Sequence, residues 1–540
     1  MGSKYQHWES RSHEKPQSIE DIQRIIEMNR GFQPAAKLDY GDHGLEGAFE
    51  IVYKGICENK RIALYADYDV DGTMSCVSWV WFFKAIGFDN FTHYIPHRIR
   101  EGYGVNLTAI QHLVEDENAE IIITMDTGIT ANTEAAWCRQ NGVEFVCTDH
   151  HKIQVENMPD CTVLNPQTHP DPQYQQLCGC GVTFVLLRKL GEKFDIPLEV
   201  WSDLLAITAM ATICDVVPLG GVNHKIVQSG VKALMKSRRP AIQKLIEACQ
   251  VSGISEQDVG FRLGPRINAV GRIEDANAVV EAFIQDNPDK LIQFMGECNE
   301  KRKTIQSFIV DEAKRSAAQF DENAIIFAGG DWHSGVVGIA AGRLADEFWK
   351  PTWLFQRGED ICRGSARSIP GVDVTDLMSA AKEFFIGFGG HAAAGGFSFH
   401  PDNEEKIKSR LLEASQSLKS QQSHLWESRV QYDCFLEDHL VSLDLIAALE
   451  GMRPFGHGFE EPEFCIRGEV TKVAYYNDKQ TQKPAHTSVW LKNGMKVMLF
   501  HNVVEIDPDT EVLFLVQLQK NEWRGNISVS LIAKDYQLLN

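Results

Sequence analysis

Three short apolar runs, each followed at once by acidic or histidine residues, constrain the fold of this chain more than any other feature. The runs are Arg61–Tyr65, Ile121–Ile123 and Val143–Cys147. Helix-favouring stretches separate them, and strands that alternate with helices are typical of a mostly parallel α/β sheet. Ligands of such sheets bind beyond the carboxyl ends of the strands. The polar residues after the runs are therefore predicted to meet at one edge of a sheet.

Aspartates dominate this predicted edge. The first run leads into Asp67, Asp69 and Asp71. Asp69 and Asp71 are two positions apart, so in an extended segment both side chains point to the same face and can reach one metal cluster. Asp126 follows the second run and could either bridge two ions or cap the next helix. Asp215 ends a further apolar stretch, where a charged group needs a partner.

The third run ends in Asp149-His150-His151. One histidine can bind a metal through a ring nitrogen, the other can face the substrate, and Asp149 can orient a ring as a hydrogen-bond acceptor. A purely structural histidine pair is the alternative. Carboxylates and imidazole without thiolates suit Mg²⁺ or Mn²⁺. Because the acids suffice for two ions, phosphoryl chemistry is the leading hypothesis.

The charge balance limits how a nucleic acid could bind. With 53 Lys and Arg against 74 Asp and Glu, the net charge is −21, which excludes a generally basic surface and argues against anionic membranes. A polyanionic substrate would need a local groove. No signal peptide or membrane-spanning run is visible, and the 13 cysteines lack a disulfide spacing. These features predict reduced thiols in the cytoplasm and no membrane association.

The predicted fold class is α/β, with two α/β domains joined by a long helix and followed by a small β-barrel. Five short β-runs near the C-terminus suggest the barrel, and the polar stretch Glu413–Ser423 is a candidate boundary. The predicted division is a helical N-terminal extension at 1–45, a catalytic domain at 46–271, a connecting helix at 272–320, a second α/β domain at 321–420 and the barrel at 430–540.

The order of these motifs resembles the DHH phosphoesterase superfamily, which is named after its Asp-His-His string. Further strings resemble one subgroup of it, the exonucleases specific for single strands. They are Pro96–Gly104 (PHRIREGYG), Gly264–Arg272 (GPRINAVGR), Trp332–Gly338 (WHSGVVG), Gly364–Ser368 (GSARS), Gly389–Gly396 (GGHAAAGG) and Met452–Gly456 (MRPFG). The resemblance covers about residues 45–540 and identifies the two α/β domains as DHH and DHHA1 and the barrel as an oligonucleotide-binding (OB) fold.

The resemblance also implies roles for individual residues. The metal ligands it implies are Asp69, Asp71, Asp126, His150 and Asp215. The predicted catalytic residues are Asp67, a further acid near the metals, Asp149, and His151, which the resemblance implies as a contact of the scissile phosphate. The DNA-binding residues it implies are Arg98, Arg266, Arg272, His333, Ser365, Arg367 and His391. His97 and Arg100 depart from the subgroup's pattern, which leaves open whether Arg98 or Arg100 contacts phosphate, and Arg98 is preferred.

The resemblance implies a single-stranded-DNA-specific 5′–3′ exonuclease. It would release mononucleotides with two Mn²⁺ or Mg²⁺ ions, in DNA repair and recombination, as a monomer whose partners include a helicase or a single-strand-binding protein. Tyr475, Tyr476, Trp490 and Trp523 are candidates for stacking on bases. One alternative is a phosphoesterase of small substrates such as short oligonucleotides or cyclic dinucleotides. The other is an inactive DNA-binding scaffold.

Overall fold

The computed structural model of the chain describes residues 3–34, 39–153, 155–317, 324–478, 481–523 and 525–539. The N-terminal segment holds a strand, β1 (His7–Ser10), and a helix, α1 (Ile19–Asn29), which Ser18 caps by accepting a hydrogen bond from the Asp21 N–H. The sequence predicted only helix here. No helix among the described residues is long and apolar enough to cross a membrane.

The first α/β domain is built on a five-stranded parallel sheet in the order β3-β2-β4-β5-β6. Its elements are α2 (Leu45–Cys57), β2 (Ile62–Ala66), α3 (Val70–Ile86), β3 (Phe91–Tyr94), α4 (Leu107–Glu115), β4 (Ile121–Met125), α5 (Asn132–Gln140), β5 (Glu144–Thr148), β6 (Thr162–Leu164), α6 (Gly179–Gly191) and α7 (Leu198–Cys214).

The predicted strands of this domain form because they are covered on both faces. Every residue of β2 and β4 is buried, as expected for central strands of a parallel sheet. Helix α3 is buried from Val70 to Phe83, and its four large aromatic side chains belong to the core, as the sequence predicted. The sheet therefore has a rigid interior, and its carboxyl edge is a fixed platform.

Helices fill the stretch between the two sheets. They are α8 (Gly221–Lys236), α9 (Pro240–Ala248), α10 (Glu256–Asp258), α11 (Gly264–Ile273), α12 (Asn277–Ile284) and α13 (Asp289–Ala317). Helix α13, with 29 residues, is the long connecting helix that the sequence predicted. Its predicted final residues, 318–320, lie outside the part of the chain that the structure describes.

The second α/β domain has a mixed sheet in the order β10-β11-β9-β8-β7, with only β7 and β8 parallel. Its elements are β7 (Ile326–Gly330), α14 (Ser334–Phe348), β8 (Thr352–Gln356), β9 (Cys362–Arg367), α15 (Val374–Ser379), β10 (Phe385–His391), β11 (Ala394–Phe399) and α16 (Glu404–Gln421). The stretch Glu413–Ser423, predicted as a candidate boundary, is helical for most of its length, because α16 continues to Gln421 and buries Ser415.

The C-terminal part is a small β-barrel. Its elements are β12 (Arg429–Tyr432), β13 (Cys434–Phe435), α17 (Leu443–Gly451), β14 (Phe464–Asn477), β15 (Pro484–Leu491), β16 (Lys496–Leu499), β17 (Glu511–Trp523) and β18 (Asn526–Leu539). The pairing of β14 with β17 closes strands β14 to β18 into a ring, as predicted for an OB-like fold.

The N-terminal segment ties the barrel to the rest of the chain. Strand β1 pairs in parallel with β12. The buried carboxylate of Asp535 accepts hydrogen bonds from the Lys4 and Tyr5 N–H groups and from the Trp8 indole. Arg30 and Asp433 form an ion pair whose side chains are each 2% exposed. One hydrophobic core runs from α1 through the first domain into the barrel.

The Arg30–Asp433 pair makes a testable contribution to stability. Arg30→Ala would leave the Asp433 carboxylate buried without its charge partner, so we expect the transition that includes the barrel to lose about 3–5 kcal/mol in urea unfolding. Arg24→Ala removes an exposed pair with Glu14 and should cost less than about 1 kcal/mol. Equal, small losses of unfolding free energy in both variants would contradict a stabilising role of the Arg30–Asp433 pair.

Candidate active site

The carboxyl ends of three neighbouring strands deliver the predicted acids to one place. Asp67, Asp126 and Asp149 directly follow β2, β4 and β5. Each continues the sheet by one more backbone hydrogen bond, from the Asp67 N–H to Met125, from the Asp126 N–H to Thr148 and from the Asp149 N–H to Leu164. The sheet register thus fixes the acids next to one another.

Asp69 and Asp71 reach the site by a different route from the one predicted. The segment is not extended: Asp69 caps α3 and accepts hydrogen bonds from the Asp71 and Gly72 N–H groups, and Asp71 lies in the first helical turn. The turn is tight, since a Cβ atom on Gly72 would lie 2.3 Å from the Asp67 carbonyl oxygen. The prediction that both acids join one cluster is retained, but its geometric reason is wrong.

The Asp71 carboxylate is held by the start of helix α6. The Gly179 N–H donates to Asp71 Oδ2 at 2.6 Å and the Cys180 N–H donates to Oδ1 at 2.8 Å. Helix N-termini carry unpaired N–H groups and partial positive charge, which stabilise an anion. This contact was not predicted, because Cys178-Gly179-Cys180 lies far from Asp71 along the chain.

Asp126 does not cap the following helix, which was the alternative to a metal role. Helix α5 starts only at Asn132, and Asp126 has φ +58°, a left-handed backbone that costs energy in a non-glycine residue. Its Oδ1 atom lies 3.1 Å from His150 Nε2. The same nitrogen lies 3.5 Å from Asp215 Oδ2 and 3.8 Å from Asp71 Oδ2. His150 therefore sits among three carboxylates, with Asp215 supplied by the end of α7.

Asp149 orients the second histidine. Its Oδ1 lies 2.7 Å from His151 Nδ1 and accepts hydrogen bonds from the His150 and His151 N–H groups, while Oδ2 accepts one from Ile129. Burial alone would raise the pKa of Asp149, but the hydrogen bond and charge of His151 bring it below its usual value. The same contact raises the pKa of His151 against the opposing effect of burial.

Tyr103 and Asn268 join the site without having been assigned a role from the sequence. The Tyr103 hydroxyl lies 3.1 Å from His151 Nε2, and Asn268 Oδ1 accepts a hydrogen bond from the Val70 N–H, which fixes the turn into α3. Both lie in strings that carried the family resemblance, and only their spatial neighbours indicate what they do.

Burial and mutual repulsion destabilise the charged forms of the acids. The pKa values of Asp67 and Asp126 lie well above the usual range. Burial is the largest cause, and repulsion by the neighbouring carboxylates is the next. The same causes raise the pKa of Asp215 to about 9. Burial lowers the pKa of His150. Without a counter-charge, this cluster favours neutral side chains.

The cluster has the donor set of a divalent-cation site. Four buried polar atoms in it form no hydrogen bond among the described residues, namely Asp67 Oδ1, Asp126 Oδ1, His150 Nε2 and Asp215 Oδ2; the 3.1 Å contact between Asp126 Oδ1 and His150 Nε2 lacks hydrogen-bond geometry. Buried polar atoms are rarely left unpaired. Three overlapping groups of residues each bring one donor atom per residue to within 4.8 Å of the others. The groups are Asp126 with His150 and His151, Asp71 with His150 and Asp215, and Asp67 with Asp69 and Asp126. These residues fit hard cations such as Mg²⁺ or Mn²⁺.

Three of the predicted DNA-binding arginines form a cluster beside the acids. Burial and then the charge of Arg98 lower the pKa of Arg272 to about 10, and the same two causes lower the pKa of Arg367. The Arg98 guanidinium lies 4.8 Å from the centre of the Tyr68 ring. Like charges that are held together and partly buried favour binding of an anion.

The other predicted DNA-binding residues have more varied surroundings. Ser365 accepts a hydrogen bond from Arg367. Arg266 donates to the backbone carbonyls of Arg262 and Ala248. His333 caps α14 by accepting from the Gly335 N–H, and His391 is exposed at the end of β10. The structure therefore brings Ser365 to the arginine cluster, while Arg266 and His333 already have backbone partners.

A groove of about 740 Å³ opens between the two α/β domains beside this cluster. One wall is the segment Arg98–Tyr103, and the other comprises the start of α14 and the faces of β9, β10 and β11. The acids, the arginines and the groove together can bind an extended anion and hold its phosphate near metal ligands.

Models of three families match successive parts of the chain. The model described as the DHH family, N-terminal domain, matches residues 61–212, the DHHA1 domain matches 321–417, and the RecJ OB domain matches 432–535. Together the three matches span well over half of the chain, in the order in which the fold places the two α/β domains and the barrel.

Known proteins with this arrangement resemble the chain along most of its length. A single-stranded-DNA-specific exonuclease RecJ from Bacillus subtilis is 29% identical over 91% of this chain, which spans only 63% of that relative. The crystal structure of RecJ in complex with Mn²⁺ from Thermus thermophilus is 24% identical, with a TM-score of 0.85, over 98% of this chain and 79% of the other.

A further crystal structure, titled exonuclease RecJ bound to manganese, is 29% identical to the chain. It has a TM-score of 0.63 over 71% of this chain and 96% of the other. The matched families, their order and the shared fold agree with the resemblance inferred from the motifs. The chain belongs to the DHH family, in the RecJ arrangement of DHH, DHHA1 and OB domains.

Proposed function

We propose that this protein is a single-stranded-DNA-specific exonuclease that hydrolyses phosphodiesters with two divalent cations, Mn²⁺ or Mg²⁺. The observation that carries the proposal is the set of buried, unpartnered carboxylate and imidazole atoms facing an arginine cluster. The names of the RecJ relatives, and the manganese in one of their crystal structures, support it.

Each residue of the site has a role in this proposal. Asp69, Asp71, Asp126, His150 and Asp215 hold the ions, and Asp67 is a further acid beside them. When bound, such ions supply an activated water and offset charge on the phosphate. His151 contacts the scissile phosphate, and Asp149 and Tyr103 fix its ring.

Arg98, which lines the groove, and its neighbours Arg272, Arg367 and Ser365 hold phosphate of the strand. Arg98 is preferred to Arg100 because its charge acts on Asp67, Arg272 and Arg367, which places it beside the site. Arg266, His333 and His391 stay predictions as DNA contacts. The groove selects single strands sterically, since two domain walls flank it.

The barrel guides the strand towards the groove. Lys472 and Lys496 lie across from Trp490 on the neighbouring strands, and both ammonium groups lie 5.1 Å from its ring. Lys496 also lies 5.8 Å from the ring of the exposed Tyr476. Aromatic faces flanked by cations suit stacking of bases and contact with phosphates. The side chain of Trp523, another candidate, lies outside the described residues.

Further parts of the proposal rest on the family resemblance. They are 5′–3′ polarity, release of mononucleotides, a part in DNA repair and recombination, a helicase or single-strand-binding protein as partner, a monomeric state and the division of the chain into domains at 46–271, 272–320, 321–420 and 430–540. The 13 free cysteines support a cytoplasmic location. A small-substrate phosphoesterase is disfavoured by the barrel, and an inactive scaffold by the complete set of acids.

Hydrolysis of end-labelled DNA tests the proposed function. We expect the protein with Mn²⁺ to release mononucleotides from the 5′ end of a single strand and to leave a blunt duplex intact. Chelation by EDTA and the variant Asp71→Ala should each abolish hydrolysis. Turnover that survives exhaustive chelation, or equal cleavage of duplex, would rule the proposal out.

The repulsion among the acids makes a separate prediction about metal binding. The raised pKa of Asp126 makes its burial costly at neutral pH, where the same group is charged in the unfolded chain, so in EDTA the Asp126→Asn variant should unfold about 2–4 °C higher than the wild type. Mn²⁺ should raise the unfolding midpoint of the wild type and raise that of Asp126→Asn far less, because a ligand is lost. Calorimetry with the exposed Asp160→Asn as control measures both. A full Mn²⁺ response in Asp126→Asn would remove Asp126 from the ligand set.

The barrel is better tested by a point variant than by truncation. Removing it would strip β1 and the N-terminal residues of their partners, including Asp535. Trp490→Ala should weaken binding of long single strands by about 5- to 150-fold, the value of one stacked base. Phe308→Ala, which removes an exposed aromatic ring from α13, is the control in a fluorescence binding assay. Unchanged affinity in Trp490→Ala would mean that this face of the barrel serves another partner.

A further inference from the structure

A second groove, separate from the active site, opens where helices α6, α7 and α8 meet. Its volume is about 640 Å³, within the range of roughly 300–1,000 Å³ that is typical of ligand pockets. Helix α7 lines it only from Leu198 to Leu205, whereas Asp215 follows the last residue of that helix. At 1.5 Å per residue, the groove lies roughly 15–25 Å from Asp215 along α7. An occupant of the second groove therefore leaves the acids of the active site free.

One wall of the second groove is apolar and only partly covered. Trp201 is partly buried, and its ring packs edge-to-face against Phe184 with 6.2 Å between the ring centres. The same ring covers Gly191, where a Cβ atom would lie 2.4 Å from it. Leu198 is 82% exposed at the rim. Apolar surface that is grouped in a concave site, rather than scattered singly, is typical of an interaction site.

The rim of the second groove is basic although the whole protein is acidic. Arg188 of α6 and Lys232 and Lys236 of α8 are exposed, and none of them forms an ion pair among the residues that the structure describes. Of the described residues that line the groove, Glu192 is the single acid, and its carboxylate lies 3.3 Å from the Lys189 ammonium. On a protein with a net charge of −21, most of the surface is expected to be acidic. The excess of positive charge at this rim favours an acidic occupant.

The spacing of groups on α8 fits a helix as the occupant. Lys232 and Lys236 are four positions apart, so they lie on one face of α8 with their Cβ atoms roughly 6 Å apart. Acids that are four positions apart on a second helix have the same spacing. Beside the lysines, α8 lines the groove with Ser229 and Ala233, whose small side chains let another helix approach closely.

We propose that the second groove binds an acidic amphipathic helix of a partner protein. The helix inserts apolar side chains beside Trp201 and places carboxylates against Lys232 and Lys236. A helix that lays its apolar face in a groove is a common form of peptide recognition. Leucine side chains on the wall offer a base no ring to stack on, so the site suits a protein better than a nucleic acid. Because the groove is remote from the acids, the partner can recruit this protein without covering its active site.

Binding of a labelled model helix tests this inference. The probe is a fluorescent peptide of about 14 residues, or four helical turns, with leucines at i, i+3, i+4 and i+7 and glutamates four apart beside them. By anisotropy we expect saturable binding to the wild type and about 10- to 100-fold weaker binding to the double variant Lys232→Glu, Lys236→Glu. A probe with lysines in place of the glutamates should prefer the double variant. Lys290→Glu reverses the charge of an exposed residue of α13 and is the matched control.

A second variant tests the apolar wall without disturbing the core. Because Leu198 is 82% exposed, Leu198→Asp should keep the fold, and we expect it to weaken binding of the acidic probe about tenfold. Hydrolysis of a short single strand should be unchanged in these variants, so its absence from the wild type would count only against the proposed function.

Three results would overturn the inference. They are failure of the acidic probe to bind the wild type, equal binding in the double variant or in Leu198→Asp, and no preference of the double variant for the lysine probe. In the first two cases, a loss of affinity for long single-stranded DNA in the double variant would assign the second groove to nucleic acid. A wild-type dimer that the double variant does not form would instead assign it to a second copy of this chain.

Discussion

Mutual repulsion among buried carboxylates is the constraint on which the site depends. Asp67, Asp71 and Asp126 are almost fully buried, and Asp69 and Asp215 lie close enough to raise their pKa values further. Burying unpaired charge is costly, and a protein keeps it only where something else compensates. The left-handed backbone of Asp126 adds to this cost. The favourable free energy of folding of the apolar core around the sheet must therefore offset the cost of burying these acids and of the strained backbone.

The compensation comes from several elements that are distant in sequence. The N-terminus of α6 holds Asp71, the Ile129 N–H and His151 hold Asp149, and Asn268 of α11 fixes the turn that leads into α3. The remaining unpartnered atoms all point to cations as the missing counter-charge. Ionisation of the acids and binding of metal are therefore coupled, because each stabilises the other.

Positive charge enters the site from both α/β domains. Arg98 and Arg272 come from the first domain and the helices after it, whereas Arg367 comes from β9 of the second. Burial and the charge of Arg98 lower the pKa values of Arg272 and Arg367, so the charged forms of these two side chains are disfavoured in the free protein. The barrel shares a hydrophobic core with the first domain and is joined to the N-terminal segment by the buried Arg30–Asp433 pair.

The sequence by itself determined the strands, their acids and the order of the domains, because these depend on local apolar runs and on motifs. It predicted β2, β4 and β5, helix α13, the closed barrel and the gathering of Asp67, Asp126 and Asp149. It could not determine contacts made by backbone groups far along the chain. Only the tertiary structure decided that α6 holds Asp71, that Asp69 caps a helix and that α16 runs through most of the stretch Glu413–Ser423. Such facts depend on which surfaces meet when the chain folds, and residue types and spacing carry no record of that.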